Sequence, residues 1–489
     1  MAISTTIKSI QDIMRTDVGV DGDAQRIGQL VWMLFLKIYD DREQEWELLE
    51  DNYVSPIPER LRWRNWAADP EGMTGDELKK FVDDELFPGL QSLEARGEDL
   101  RPLVIRGVFE DAYNYMKSGQ LMRQVINKLQ EMDFNVSSER HELGDVYEQI
   151  LKDLQSAGNA GEFYTPRAVT EFIVNRVDPK LEEQVMDPAC GTGGFLTNTI
   201  EHKREHYVDT PQDWETLQGT IRGIEKKPLP HLLASTNLIL HGIEVPSQIR
   251  HDNTLARPWT DWGPRDRVDA IVANPPFGGM EEAGIETNFP QAFRTRETAD
   301  LFMALFIHLL KDGGRAGVVL PDGFLFGEGI KTRIKEKLLT ECDLHTIVRL
   351  PNGVFNPYTN IKTNLLFFTK GRPTKEVWYY EHPYPEGYKN YSKTKPMRFA
   401  EFEREIAWWG TEADGFQARE ETEYAWRVPV EEIQADNYNL DRKNPYAEEE
   451  ADHDPEELLA KYERQQAEIQ ELRDQLKDIL GDALGEQQQ

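Results

Sequence analysis

Along the first 150 residues, apolar positions recur every three or four residues. Ile7, Ile10 and Met14 share this spacing, and Ile27, Val31, Phe35 and Ile38 continue it. A period near 3.6 puts such positions on one stripe, so the pattern predicts a helical N-terminal domain over residues 1–150 without strand–helix alternation. The texture changes near residue 160. Short apolar or β-branched runs ("QVMD", "RGIE", "VDAIVA", "RAGVVLP", "HTIVRL", "TNLLFF") then alternate with helix-length stretches such as "PLPHLLASTNLILHG" and "ADLFMALFIHLLKDGG". The second stretch is expected to end on its glycines, which suit a helix C-terminus. Such alternation predicts a doubly wound α/β sheet with helices on both faces, in a domain spanning residues 151–445. Within it, residues 371–445 are aromatic-rich and yield no assignment. The tail, 446–489, carries fourteen acidic residues against four basic ones. Ile469, Leu472, Leu476 and Ile479 keep a 3–4–3 spacing there, the seam of a short helix that packs on its own body or docks on a partner.

Composition narrows the function classes. Of 489 residues, 39% are hydrophobic and 10% aromatic, enough to build real cores. Two cysteines, Cys190 and Cys342, cannot form a disulfide scaffold or a Cys-based zinc site. The longest apolar run, "LVWMLFL", is too short to span a bilayer, and the start lacks a secretory pattern, so a soluble, cytoplasmic protein is expected. A formal net charge of -32 argues against tight, autonomous DNA binding, because phosphate affinity comes from Lys and Arg. "RLRWRNW" (Arg60–Trp66) interleaves arginines with tryptophans. It reads as a snorkelling surface segment, with nucleic-acid stacking as the alternative.

Three motifs carry chemistry. "VMDPACGTGGFL" (Val185–Leu196) joins a strand to a helix through glycines, a turn that brings backbone N–H groups close to a ligand. The next strand ends in "GIE", placing Glu225 where a carboxylate can accept ribose hydroxyls. "VANPPFGG" follows the apolar run "VDAIVA", and two prolines cannot extend a strand. The strand must therefore stop at Asn274, at the sheet edge where ligands bind in open α/β folds.

Together these motifs resemble those of S-adenosylmethionine-dependent methyltransferases that modify an exocyclic amino nitrogen of a DNA base. The residue types suit that chemistry. Adenine N6 is a poor nucleophile because its lone pair is delocalised into the ring. Acceptors on the Asn274 side chain and the Pro275 carbonyl would localise that pair, Pro275 and Pro276 would fix the geometry, and Phe277 would stack on a flipped base. Upstream, "GEFYTPR" (Gly161–Arg167) resembles the segment that closes over the cofactor in this family. The order of the three motifs resembles the modification subunit of type I restriction–modification systems. The resemblance implies a Rossmann-like methyltransferase fold, a helical N-terminal domain and a helical C-terminal tail. It places S-adenosyl-L-methionine against Glu162, Phe163, Tyr164, Thr165, Pro166, Arg167, Asp187, Gly191, Thr192, Gly193, Gly194 and Glu225, with Asp252 near the cofactor adenine. No metal is implied. The implied partners are DNA, a specificity subunit and a second copy of the chain, with room for a separate restriction and translocase subunit; no membrane is implied. A catalytic subunit that borrows its DNA grip can be acidic.

Other patterns fail. "HKREH" (His202–His206) fits a zinc template but reads as a solvated helix face. In "PDGFLFGEGIK" (Pro321–Lys331) the acid and lysine are one residue too far apart for a nuclease motif. No G-x-x-x-x-G-K-[ST] occurs, so ATP-driven translocation is not expected of this chain. A stand-alone DNA methyltransferase and a non-catalytic acidic scaffold are the competing readings. The first should carry its own recognition domain, and intact "NPPF" and "GTGG" argue against the second. A protein methyltransferase acting on a glutamine amide would usually end its motif in tyrosine.

Overall fold

The computed structural model describes residues 3–132 and 164–447, apart from positions 98, 247, 357 and 393, together with Tyr147 and scattered positions between 462 and 473. The chain divides into one compact unit over Met1–Lys443 and a second over Asn444–Gln489.

Among the described residues nine strands form one sheet. They are β1 (Val185–Asp187), β2 (Ile221–Glu225), β3 (Ile249–His251), β4 (Val268–Ala273), β5 (Leu310–Pro321), β6 (Cys342–Arg349), β7 (Thr363–Lys370), β8 (Glu376–Glu381) and β9 (Ala425–Pro429). Their order is β3-β2-β1-β4-β5-β7-β6-β8-β9. The first five run parallel, and β7 lies antiparallel between β5 and β6. Strand order reverses between β1 and β4, the switch point where such sheets open a crevice.

Period-two alternation in the central strands feeds two cores. Val185, Ala270 and Val272 pack with the helix Arg167–Val177 on one face. Met186, Ile271 and Ala273 pack with the helices Thr298–Leu309 and Ile330–Glu341 on the other. All six expected strands are present. The helix expected to close on Gly313 and Gly314 instead ends at Leu309, and the chain passes directly into β5. A register shift between Val268 and Ala270 absorbs Leu310–Gly314, with Gly313 at φ +80°.

The aromatic segment after residue 371, unassigned from sequence, continues the sheet through β8 and β9. Tyr379 and Trp426 stack across that pair at 5.4 Å. The N-terminal region is helical, without named strands among its described residues. Ile7, Ile10 and Met14, like Ile27, Val31, Phe35 and Ile38, are buried, and their core is continuous with Leu232, Leu233 and Ile239 of the helix Pro228–Leu240. The N-terminal helices therefore share a core with the sheet-flanking layer.

Two expectations need correction. In "RLRWRNW", Trp63 and Trp66 are buried and pack against each other, so neither offers a face to nucleic acid. Arg64 is taken up by Asp40 and Glu47 at 2.8 and 2.7 Å. "HKREH" is not wholly a solvated face. Lys203 is fully buried, and its Nζ donates to the Leu181 and Glu183 carbonyls and to Thr220 Oγ1. His202 pairs with Asp178 at 2.9 Å. No His, Cys, Asp and Glu group suited to a metal occurs among the described residues. Of the tail seam, Ile469 and Leu472 lie at helical positions, while Leu476 and Ile479 fall outside the described residues.

Candidate active site

A cavity of about 310 Å³ opens at the carboxyl ends of β1, β2, β3 and β4. Its floor is the glycine turn. Asp187 ends β1, and Gly191 and Gly193 adopt φ +53° and +82°, a region in which a side chain would be strained. Gly193 then caps the helix Gly194–Tyr207. That helix end directs backbone N–H groups toward the cavity, as anion and carboxylate groups require.

Glu225 fastens the turn from the neighbouring strand. Its Oε2 accepts the Gly191 N–H at 2.9 Å and its Oε1 accepts the Lys227 N–H at 2.7 Å. Burial pushes its carboxyl up, and those backbone donors oppose the shift. Asp187 is the more perturbed acid. Burial raises its carboxyl to about 8, with the nearby Glu225 adding to the rise and the Ala189 N–H opposing it. Asp252 joins them at the end of β3, its N–H donating to the Glu225 carbonyl at 3.0 Å. Asp187, Glu225 and Asp252 thus meet in the cavity lining, which also includes Lys226 and Lys227 next to Glu225.

Asn274 stands on the opposite wall, immediately after β4. Its Nδ2 donates to Thr165 Oγ1 at 2.9 Å, a contact 109 residues away in sequence. Its Oδ1 is shielded from solvent and has no hydrogen-bond partner among the described residues. Buried polar atoms are nearly always paired, so this oxygen keeps acceptor capacity that no described residue uses. Pro275 is buried and Pro276 exposed. The Phe277 and Phe355 rings meet at 6.0 Å with their planes nearly perpendicular, and Phe277 is partly buried against the adjoining core.

The structure brings Thr165, Asp187, Gly191, Thr192, Gly194, Glu225, Asp252, Asn274 and Pro276 to the cavity lining. Gly193 lies behind it, against Ala234 and Leu238. Tyr164 is buried in the N-terminal core, and Arg167 pairs with Glu201 on the helix Gly194–Tyr207. Pro166 caps the helix Arg167–Val177. Glu162 and Phe163 lie outside the described residues. Sequence reasoning missed Thr254, Glu281, Thr298 and Phe302, which also line the cavity. Thr254 follows Asp252 closely and could have been inferred. Thr298 could not, because it arrives through its hydrogen bond to the Gly279 carbonyl at 3.0 Å. Cys190 lines the cavity too, and burial pushes its thiol up, which disfavours the thiolate a nucleophile needs.

Comparison with known proteins identifies the family of the whole chain. The family model described as N-6 DNA Methylase matches residues 138–454, and that described as HsdM N-terminal domain matches residues 3–129. The EcoEI type I restriction enzyme methylase subunit of Escherichia coli is 66% identical over 99% of both chains. A modification subunit from Vibrio vulnificus YJ016 superposes with a TM-score of 0.82 at 44% identity, over 93% of this chain and 99% of that one. A second solved chain, described under complex assembly and conformational transition of the type I R-M system, gives 0.81 at 37% identity over 97% of both.

Proposed function

The chain belongs to the methylase subunits of type I restriction enzymes, within the N6 DNA methylase family, and from that premise we propose how its residues divide the work. It is an adenine-specific DNA methyltransferase that acts as part of a restriction–modification complex. S-adenosyl-L-methionine is the cofactor of this family, and the residues present fit it. The acids of the cavity lining suit its cationic groups, Glu225 suits a ribose, and the helix N-terminus after Gly193 suits its carboxylate. Asp252 is assigned to the adenine end. When bound, the cofactor supplies a methyl group activated by a sulfonium.

The chain's own task is to prepare the amino nitrogen. Asn274 Oδ1 and the Pro275 carbonyl accept hydrogen bonds from adenine N6, drawing its lone pair out of the ring. The acceptors are set before the substrate arrives, so little reorganisation is required in the transition state. Phe277 holds the extruded base by stacking. The observation that carries this reading is the unpartnered Asn274 Oδ1, with the amide's other end held by Thr165. DNA binding and sequence choice are assigned to a specificity subunit, with a second copy of this chain alongside, which the net charge of -32 supports. The acidic tail is assigned to docking on that subunit, supported by the exposure of Ile469 and Leu472.

Replacing Asn274 tests the assignment. In the assembled complex, Asn274→Ala is expected to lower methyl transfer by ~10²–10³-fold with cofactor binding nearly intact. Phe277→Tyr should stay active. Normal methylation by Asn274→Ala would refute the assignment.

A further inference from the structure

Two strand ends converge on a single carboxylate in the wall of the cavity. β2 ends on Glu225 and is followed by Lys226, and β3 leads through Asp252 into Asn253. Lys226 Nζ donates to Glu281 Oε2 at 3.0 Å, and Asn253 Nδ2 donates to the same oxygen at 3.4 Å. Each donor is thus the immediate neighbour of an acid assigned to the cofactor. Lys226, Asn253 and Glu281 line the cavity together with Glu225, Asp252 and Asn274. The Asn253 amide is oriented for this contact, because its Oδ1 accepts the Leu255 N–H at 3.0 Å.

Glu281 follows Phe277 in the chain, beyond a pair of glycines. Gly278, at φ +66°, and Gly279 have no side chains with which to anchor this segment. Hydrogen bonds anchor it instead. The Gly279 carbonyl accepts the Thr298 N–H at 3.1 Å, and the Glu281 N–H donates to the Arg296 carbonyl at 2.8 Å. The Glu281 carbonyl in turn accepts two donors of the Arg296 guanidinium, at 3.0 and 2.8 Å. With its backbone held on one side and its carboxylate on the other, Glu281 bridges the cofactor wall and the segment that leaves Phe277. Its side chain is 9% exposed, against 39% for Lys226. Fully exposed ion pairs contribute little, but a buried carboxylate that loses its donors must move or be left unpaired.

We propose that Glu281 is a positioning residue for methyl transfer. It holds the strand ends that carry Glu225 and Asp252 in register with the segment that carries Asn274 and Phe277. This rests on the assignment of those four residues given above. Glu281 acts through Lys226 and Asn253, setting the distance between the seat of the cofactor and the seat of the base. A small displacement between the two seats slows the reaction even when both are filled.

The test uses the assembled complex. Calorimetry gives cofactor affinity, and single-turnover methylation at saturating cofactor and DNA gives the rate. Glu281→Ala should lower that rate about ten- to hundredfold, with cofactor affinity reduced less than about fivefold. Glu281→Gln keeps an oxygen for both donors and should stay within about threefold of the parent. Lys226→Met removes one donor and should cost about three- to tenfold in the same rate. The Lys226→Met/Glu281→Ala double variant should be no slower than Glu281→Ala alone, because both changes break one link. An unchanged rate in Glu281→Ala, a loss confined to cofactor affinity, or additive losses in the double variant would each overturn the proposal. If Glu281→Ala does not assemble, Lys226→Met decides, and an unaltered rate there overturns it. Failure of the underlying reading looks different, because Asn274→Ala would then methylate normally.

Discussion

The Asn274 side chain donates to Thr165 Oγ1 at 2.9 Å, so the acceptor end of the amide is oriented by a residue more than a hundred positions upstream. The "TPR" segment therefore contributes to the "NPPF" site directly. Thr165→Val keeps the shape but removes the acceptor, leaving the amide donor unpaired and free to turn. An unmet buried donor costs ~1–3 kcal/mol, and small misplacements at a reacting centre cost up to ~10²-fold in rate. Single-turnover methylation should fall about tenfold or more in Thr165→Val, with cofactor affinity changed less than about threefold. Thr165→Ser should recover. An equal loss in Thr165→Ser would show that the hydroxyl is not what orients Asn274.

Much of this site is legible in the sequence because its parts obey local rules. A strand stopped by two prolines must end at Asn274, and glycines that bridge a strand to a helix must form a close backbone turn. The meeting of Thr165 with Asn274 follows no local rule, since it depends on how the helix Arg167–Val177 lies on the sheet. For the same reason Tyr164, next to Thr165, could not be placed in the N-terminal core from sequence. β3 escapes sequence reading because three residues carry too little alternation to register. β8 and β9 escape it because their aromatic runs lie in a segment crowded with glycine, proline and charge. "RLRWRNW" misleads because the burial of Trp63 and Trp66 is decided by partners elsewhere in the fold.

Asp187 should make cofactor binding depend on pH. Its carboxyl is raised to about 8, so at neutral pH the unliganded site mostly holds the proton. A cationic ligand favours the carboxylate, so binding below pH 8 expels that proton, and affinity should climb with pH and level off near 8. Calorimetry at about pH 7 in two buffers of different ionisation enthalpy should give different apparent heats, and Asp187→Asn should abolish the difference. Identical heats for the parent protein would mean that Asp187 does not sense the ligand's charge.

Lys203 should leave a different mark, on stability. Its Nζ is buried among the Leu181 and Glu183 carbonyls and Thr220 Oγ1, and burial lowers its value from 10.5 to about 7. Between those values the unfolded chain keeps a proton that the folded protein has released. Stability from this group therefore falls as pH drops from 10.5 toward about 7 and rises in the opposite direction, by at most about 1.4 kcal/mol per unit. Below about 7 both states carry the charge, and the folded state bears the full cost of burying it. Lys203→Met has no proton to release, so its stability should lack this rise, although it loses the donor that satisfied three acceptors. The advantage of the parent over Lys203→Met should thus widen between about pH 7 and pH 9, as read from denaturant midpoints at each pH. Parallel profiles would show that the ammonium, with its three oxygen acceptors, stays charged in the core throughout.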